Sequence, residues 1–315
     1  MATKNIRRAA VLGAGVMGSG IAAHLASCGI PTLLLDIVPR DLSDEDKDKT
    51  SARNRYASDG LKAAIKSKPN VFVQSRAASI IEVGNFEDDM EKLKDVDWVI
   101  EVVVENLAIK QTLFAQVEAN LSPGTIVSSN TSGLSLEAMC EGRSDDFASH
   151  FLGTHFFNPV RYMHLLEIIP GPKTSTDVID SMSHFVRRVL GKGVVYAKDT
   201  TNFIANRIGV HGMMTTIHAM EALDYTVEEV DAIVGKPMGR PKSAAFGTAD
   251  IVGLDTFIHV AQNCYDSLTD DPERDVFRCS DSIKSMVDKG YKGRKAGGGF
   301  YKKEGRDLFA IDTKT

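Results

Sequence analysis

The sequence predicts an α/β half followed by an all-helical half, and three observations carry that reading. Short apolar runs alternate with helical periods from residue 6 to residue 197. A glycine-rich turn, Gly13-Ala14-Gly15-Val16-Met17-Gly18, follows the first of those runs. From Thr200 onward the strand-like runs cease and helical spacing alone remains. A chain of 315 residues, at roughly 150 residues per domain, fits two domains. The boundary falls at residues 1–198 and 199–315.

Ile6 to Leu12 is an apolar run fit for a buried strand. After the glycine turn, Ile21, Ala22, Leu25 and Ala26 recur at helical spacing, and Pro31 to Leu35 is a second apolar run that ends in Asp36. Strand, glycine turn, helix, strand and acid in that order form the Rossmann-type dinucleotide-binding unit. Gly13 permits the tight turn, Gly15 lets the backbone approach a pyrophosphate, and Gly18 lets the helix pack against the strand. The backbone of Ala14, Val16 and Met17 completes the cradle, with helix N–H groups aimed at phosphate. Asp36 suits a ribose diol and repels a 2′-phosphate, so NAD is favoured over NADP; Arg40 lies nearby.

Residues 40–76 interrupt the alternation and read as a helical excursion. It opens acidic and turns basic over 52–76, where Arg53, Arg55, Lys62, Lys66, Lys68 and Arg76 face Asp59 alone within the segment. Two readings stand: a solvated mixed surface, or a basic arm that grips an anionic ligand. Alternation resumes with strands at Ile80–Val83, Trp98–Val104 and Thr125–Ser129, with a helix from about Leu107 to Leu121. Strands at Thr154–Phe157 and Leu165–Ile169, a helix at Ser175–Leu190 and a strand at Val194–Ala197 follow. The second half reads as helices at Asn202–Leu223, Val227–Val234, Ile251–Leu268 and Ser280–Lys289.

Composition narrows the function classes. With 43% apolar and 25% charged residues the chain can bury a core. A net charge of −5 argues against nucleic acid as the partner. No apolar stretch reaches membrane-span length, and the N-terminus runs straight into a strand with no room for a signal or transit peptide, which points to the cytoplasm of a bacterial-type cell. Cys28, Cys140, Cys264 and Cys279 form no CxxC pair, and no cluster has metal-ligand spacing, so no metal is expected.

Four places stand out for chemistry. Ser128-Ser129-Asn130-Thr131-Ser132 follows a strand, where the ligand crevice of an open α/β sheet lies; it is also simply rich in turn formers. His155 and Glu167 each sit in an apolar run, twelve residues apart with Asn158-Pro159 between them. A buried carboxylate is costly unless paired, so adjoining strands would bring the two together as a general base and its orienting partner. Lys198-Asp199-Thr200 precedes Asn206-Arg207, with Asp199 or Thr200 as helix N-cap and Asn206 as a cap or ligand contact.

Taken in order, Gly13-x-Gly15-x-x-Gly18, Val104-Glu105-Asn106-Leu107, Ser129-Asn130-Thr131-Ser132, His155-Phe156-Phe157-Asn158-Pro159, Lys198-Asp199-Thr200 and Gly297-x-Gly299-Phe300-Tyr301 resemble the L-3-hydroxyacyl-CoA dehydrogenase family of fatty-acid β-oxidation, across almost the whole chain. The resemblance implies His155 as base, Glu167 as its partner, and Ser132 and Asn206 holding substrate and nicotinamide. It implies Asp36, Glu105, Lys110, Asn158 and Lys295 as NAD contacts, and Arg55, Lys62 and Lys66 as contacts for an acyl-CoA substrate. The helical half would close over the acyl chain and form a homodimer interface. Gly239-Arg240-Pro241-Lys242-Ser243 is most like the dehydrogenase part of multifunctional enzymes, and no closing element precedes Lys314-Thr315, so the resemblance leaves two expectations for partners: a homodimer, or the leading piece of a longer polypeptide fused to or associated with an enoyl-CoA hydratase module. Thr201-Asn202 stands where the family often has Pro-Gly. Two alternatives remain open: a dehydrogenase of a small hydroxy acid lacking CoA, and an inactive NAD-binding protein.

Overall fold

A computed structural model describes residues 5–312. Two compact units divide the chain, Met1–Thr200 and Thr201–Thr315. The first unit runs β1 (Ala9–Leu12), α1 (Val16–Ser27), β2 (Thr32–Asp36), α2 (Thr50–Arg53), α3 (Arg55–Lys66), β3 (Ile81–Asn85), β4 (Trp98–Glu101), α4 (Leu107–Ala119) and β5 (Ile126–Ser129). It continues with α5 (Leu136–Met139), α6 (Asp145–Ser149), β6 (Phe151–Phe156), β7 (Leu165–Pro170), α7 (Thr176–Arg188) and β8 (Gly193–Tyr196). The eight strands form one sheet in the order β3-β2-β1-β4-β5-β6-β7-β8. The first six pair in parallel, the layout of a doubly wound dinucleotide fold, while β7 runs antiparallel to β6 and β8 parallel to β7.

The central strands are apolar because helices cover both faces. Every residue of β1 is fully buried, as are Leu33, Leu34 and Leu35 of β2 and Trp98, Val99 and Ile100 of β4. The indole N–H of Trp98 donates to Ser128 Oγ at 2.9 Å, and the ring packs edge-on against Phe185 of α7. Gly13 adopts φ +107°, and a Cβ there would stand 2.6 Å from the carbonyl oxygen of Val102. This closeness places the glycine turn against the end of β4, at the switch in strand order between β1 and β4. Gly60 of α3 meets the glycine turn the same way: a Cβ there would lie 2.2 Å from the Ala14 carbonyl oxygen.

The second unit contains α8 (Ala205–Leu223), α9 (Val227–Val234), α10 (Phe246–Val252), α11 (Leu254–Ser267), α12 (Asp281–Asp288), β9 (Tyr301–Glu304) and β10 (Asp307–Ala310). It is helical around its own apolar core of Met214, Ile217, Phe246, Leu254, Ala261 and Phe300. Three corrections to the sequence reading apply. The helix expected at Ile251–Leu268 breaks at Gly253, whose φ of +97° lies outside any right-handed helix. The helix expected from Asn202 starts at Ala205, because Asn202 (φ 59°) and Phe203 (φ 48°) are left-handed. Finally, the unit is not purely helical: β9 and β10 pair as an antiparallel hairpin turning at Gly305, φ +63°. Among the described residues no helix is long and apolar enough to cross a membrane.

Candidate active site at the carboxyl edge of the sheet

His155 lies one residue before the end of β6, and Glu167 is its register partner on β7. Cross-strand partners point to the same face, so the pairing puts both side chains on one side of the sheet. His155 Nδ1 and Glu167 Oε2 are 2.7 Å apart; the two residues are 4% and 0% exposed. A bond from Nδ1–H to the carboxylate makes Nε2 the nitrogen that can accept a proton. Ser132 Oγ stands 3.4 Å from that Nε2, and the Phe157 ring packs edge-on beside the imidazole.

The loop after β5 is held in place by a buried charge cluster. Lys110 of α4, 1% exposed, has its ammonium 2.7 and 2.8 Å from the two carboxylate oxygens of Glu101 and 3.1 Å from Glu105. Glu101 in turn accepts from Ser129 Oγ and Val103 N. Glu105 accepts from Thr131 Oγ1 and, at 2.9 Å, from the backbone N–H of Ser132. Burial alone would raise the Glu105 carboxyl; the Lys110 ammonium and the Thr131 and Ser132 donors outweigh it and hold the group below the usual carboxylate range. Asn130 Oδ1 accepts from Phe156 N at 2.8 Å, tying this loop to the strand that bears His155. A chain of contacts thus runs from Lys110 through Glu105 and Ser132 to His155.

Other expected residues fall in several places. Asp36 closes β2 and accepts from Ala14 N at 2.6 Å and Ile37 N at 2.7 Å, leaving lone pairs on both oxygens. A cavity of about 660 Å³ beside it is lined by Gly13, Gly15, Asp36, Phe86, Val104 and Ile109. A Cβ on Gly15 would meet nothing within 4 Å, and Val16 is 76% exposed, so the cradle of Gly13 through Gly18 opens outward and fits a dinucleotide. Lys110, expected as an NAD contact, is buried with its ammonium against the carboxylates of Glu101 and Glu105. The arm is also less basic than its own sequence suggests. Arg53 pairs with Glu87 and Asp88, Arg55 with Asp41, and Lys62 with Asp59 of the arm itself, so acids within and beside the arm neutralise much of it. Asp199 does not cap the helix that follows; its Oδ2 accepts from Leu136 N at 2.8 Å at the head of α5. Asn158 is exposed at the end of the His155 segment. Asn206 and Lys295 belong to the second unit, where Asn206 is in the first turn of α8 and Lys295 pairs with Asp255 at 2.7 Å. Sequence reasoning missed Glu101, although an acid ending the apolar run Trp98-Val99-Ile100 is the same signal that marked Glu167.

The sheet order, the glycine cradle and the terminal acid define a dinucleotide-binding oxidoreductase fold with a histidine–glutamate pair at its crevice. Residues 8–200 match the family model described as 3-hydroxyacyl-CoA dehydrogenase, NAD binding domain, and residues 203–303 match its C-terminal domain. The chain belongs to the 3-hydroxyacyl-CoA dehydrogenase family, with NAD as cofactor. It is 56% identical to a probable 3-hydroxyacyl-CoA dehydrogenase of Bacillus subtilis, over 99% of this chain and 40% of the relative, so it spans two fifths of that protein's length. It is 48% identical to a probable 3-hydroxyacyl-CoA dehydrogenase of Deinococcus radiodurans, over 95% of this chain and 83% of the relative. Among solved structures it resembles (S)-3-hydroxybutyryl-CoA dehydrogenase from Ralstonia eutropha at 28% identity, TM-score 0.74, covering 94% of this chain and 98% of the other.

Proposed function

We propose that the chain catalyses NAD-dependent oxidation of an L-3-hydroxyacyl-CoA to the 3-ketoacyl-CoA, in fatty-acid β-oxidation. The observation that carries this reading is the 2.7 Å His155–Glu167 contact, buried in one antiparallel register. His155 Nε2 removes the 3-hydroxyl proton, and Glu167 keeps the imidazole in that tautomer and stabilises the imidazolium formed. Ser132, 3.4 Å from Nε2, orients the hydroxyl oxygen; the family resemblance gives Asn206 a part in holding the substrate. NAD, when bound, supplies the hydride acceptor. The Gly13–Gly18 cradle and Asp36 hold its adenosine half, with Glu105, Lys110, Asn158 and Lys295 as further contacts. Arg55, Lys62 and Lys66 receive the CoA phosphates; among them Lys66 alone has no ion-pair partner among the described residues. The helical unit closes over the acyl chain and forms a homodimer interface, or else the chain is fused to or associated with an enoyl-CoA hydratase module.

The experiment is an NADH absorbance assay with acetoacetyl-CoA and longer 3-ketoacyl-CoA substrates, with free acetoacetate as control. Turnover of the thioesters and not of the free acid is the expected result. The internal pairing of the arm favours the CoA-free alternative to the extent that Arg55 and Lys62 are already neutralised. Turnover of acetoacetate alone would establish that second reading.

A further inference from the structure

The second unit contains a cavity of about 860 Å³ that the proposed reaction does not use. Four cations line it from three separate segments: Lys242 from the connection between α9 and α10, Arg294 from the turn after α12, and Lys303 and Arg306 from the β9–β10 hairpin. All four are exposed. None has a carboxylate within ion-pair distance among the described residues, whereas their neighbours Lys295 and Lys302 are paired with Asp255 and Glu304. The two acids in the cavity wall accept hydrogen bonds from other groups, and the Arg294 charge acts on Asp250. Asp231 accepts from the backbone of Ala245, Phe246 and Gly247 and from the Tyr301 hydroxyl. Asp250 accepts from Phe300 N and Tyr301 N, at 2.8 Å each. Leu308 and the Tyr301 ring add an apolar side.

The four cations of the wall outnumber its two carboxylates, and guanidinium groups match phosphate oxygens two at a time. The volume lies within the range of small-ligand sites. We infer that this cavity binds a phosphorylated organic anion of nucleotide size, carrying at least two phosphate groups on an apolar or aromatic body, at a site separate from the glycine cradle. The assignment is independent of the dehydrogenase reading.

The test is isothermal titration calorimetry on the full chain saturated with NADH, which occupies the cradle, using ADP and inorganic pyrophosphate as probes. ADP is expected to bind one further site per chain, several-fold tighter than pyrophosphate, and to weaken as salt rises. Arg294→Glu with Arg306→Glu should weaken ADP at least tenfold, while Lys302→Glu, on the paired neighbour, should leave it unchanged. If charge reversal disturbs folding by circular dichroism, Lys303→Gln with Arg306→Gln decides, with a smaller loss expected. No heat from either probe, equal affinity for the two, or ADP binding that survives these substitutions would overturn the inference.

Discussion

His155 and Glu167 act on one proton, so their substitutions should not add. His155→Gln is expected to cut turnover roughly 100- to 10,000-fold, the worth of a positioned acid–base group, with NADH affinity retained because the cradle lies on other loops. Glu167→Gln keeps the shape, removes the charge that favours imidazolium, and should also slow turnover. A double variant losing the product of the two single losses would mean that the residues act independently. Asp36 gives a second residue-level expectation. Asp36→Ala should weaken NAD and narrow its margin over NADP, because the diol acceptor and the repulsive charge vanish together; comparable cofactor affinities in the wild type would refute the selectivity. Both sites were legible in sequence, since a carboxylate in an apolar run needs a partner and an acid ending the second strand is a positional signal. The buried ion pair of Lys110 was not, because it depends on Glu101, which lies beside it in space and nine residues away in the chain.

The strands and longer helices of the first unit followed from apolar periodicity, often within a few residues. What periodicity could not see were the short capped turns. α5 and α6 have four and five residues, too few for an apolar period, and are fixed by Ser135 and Ser144 side chains accepting from Ala138 and Phe147 N–H. The sequence left the arm open between a mixed-charge surface and a basic grip, because Asp41, Glu87 and Asp88, which pair with Arg55 and Arg53, approach from outside residues 52–76. Neutralising Lys66 should therefore raise the Michaelis constant for acyl-CoA at low salt more than neutralising Lys62, whose ammonium Asp59 already shares. An equal effect would show that the Lys62 pair opens for substrate. At the junction of α1 with the α7–β8 turn, His24 Nε2 donates to the Leu190 carbonyl at 3.0 Å, while Nδ1 is buried without a partner. Burial, with the Lys192 ammonium nearby, lowers its pKa to about 4. Below the ordinary value of about 6.5 the unfolded chain takes up a proton that the folded chain refuses, so stability is complete above that pH and lost as pH falls toward 4. The loss amounts to roughly 3 kcal/mol at most. Denaturant melts of His24→Gln should have a flatter pH dependence between those limits; an unchanged slope would assign the acid sensitivity to other groups.

The two units each enclose their own apolar core. Residues 1–200 expressed alone are expected to fold and to bind NADH, since the sheet, the cradle and the His155–Glu167 pair all lie within them. Failure of that fragment to melt cooperatively would mean that its stability depends on the helical unit. The change from alternation to pure helical period marked the break near residue 200, whereas the hairpin at Tyr301–Ala310 escaped notice because Tyr301-Lys302-Lys303-Glu304 is too polar to read as a strand. The burial of Trp98 also bears on how these units can be observed. It is the chain's single tryptophan, and it sits in the middle of the first unit's sheet, sealed by Ser128 and Phe185. Selective excitation of indole therefore lights up one unit and leaves the other dark. A melt followed by tryptophan emission tracks the nucleotide-binding half, while far-ultraviolet ellipticity weighs the helical half heavily. The gap between the two curves measures how independently the halves come apart, with no dye or label attached.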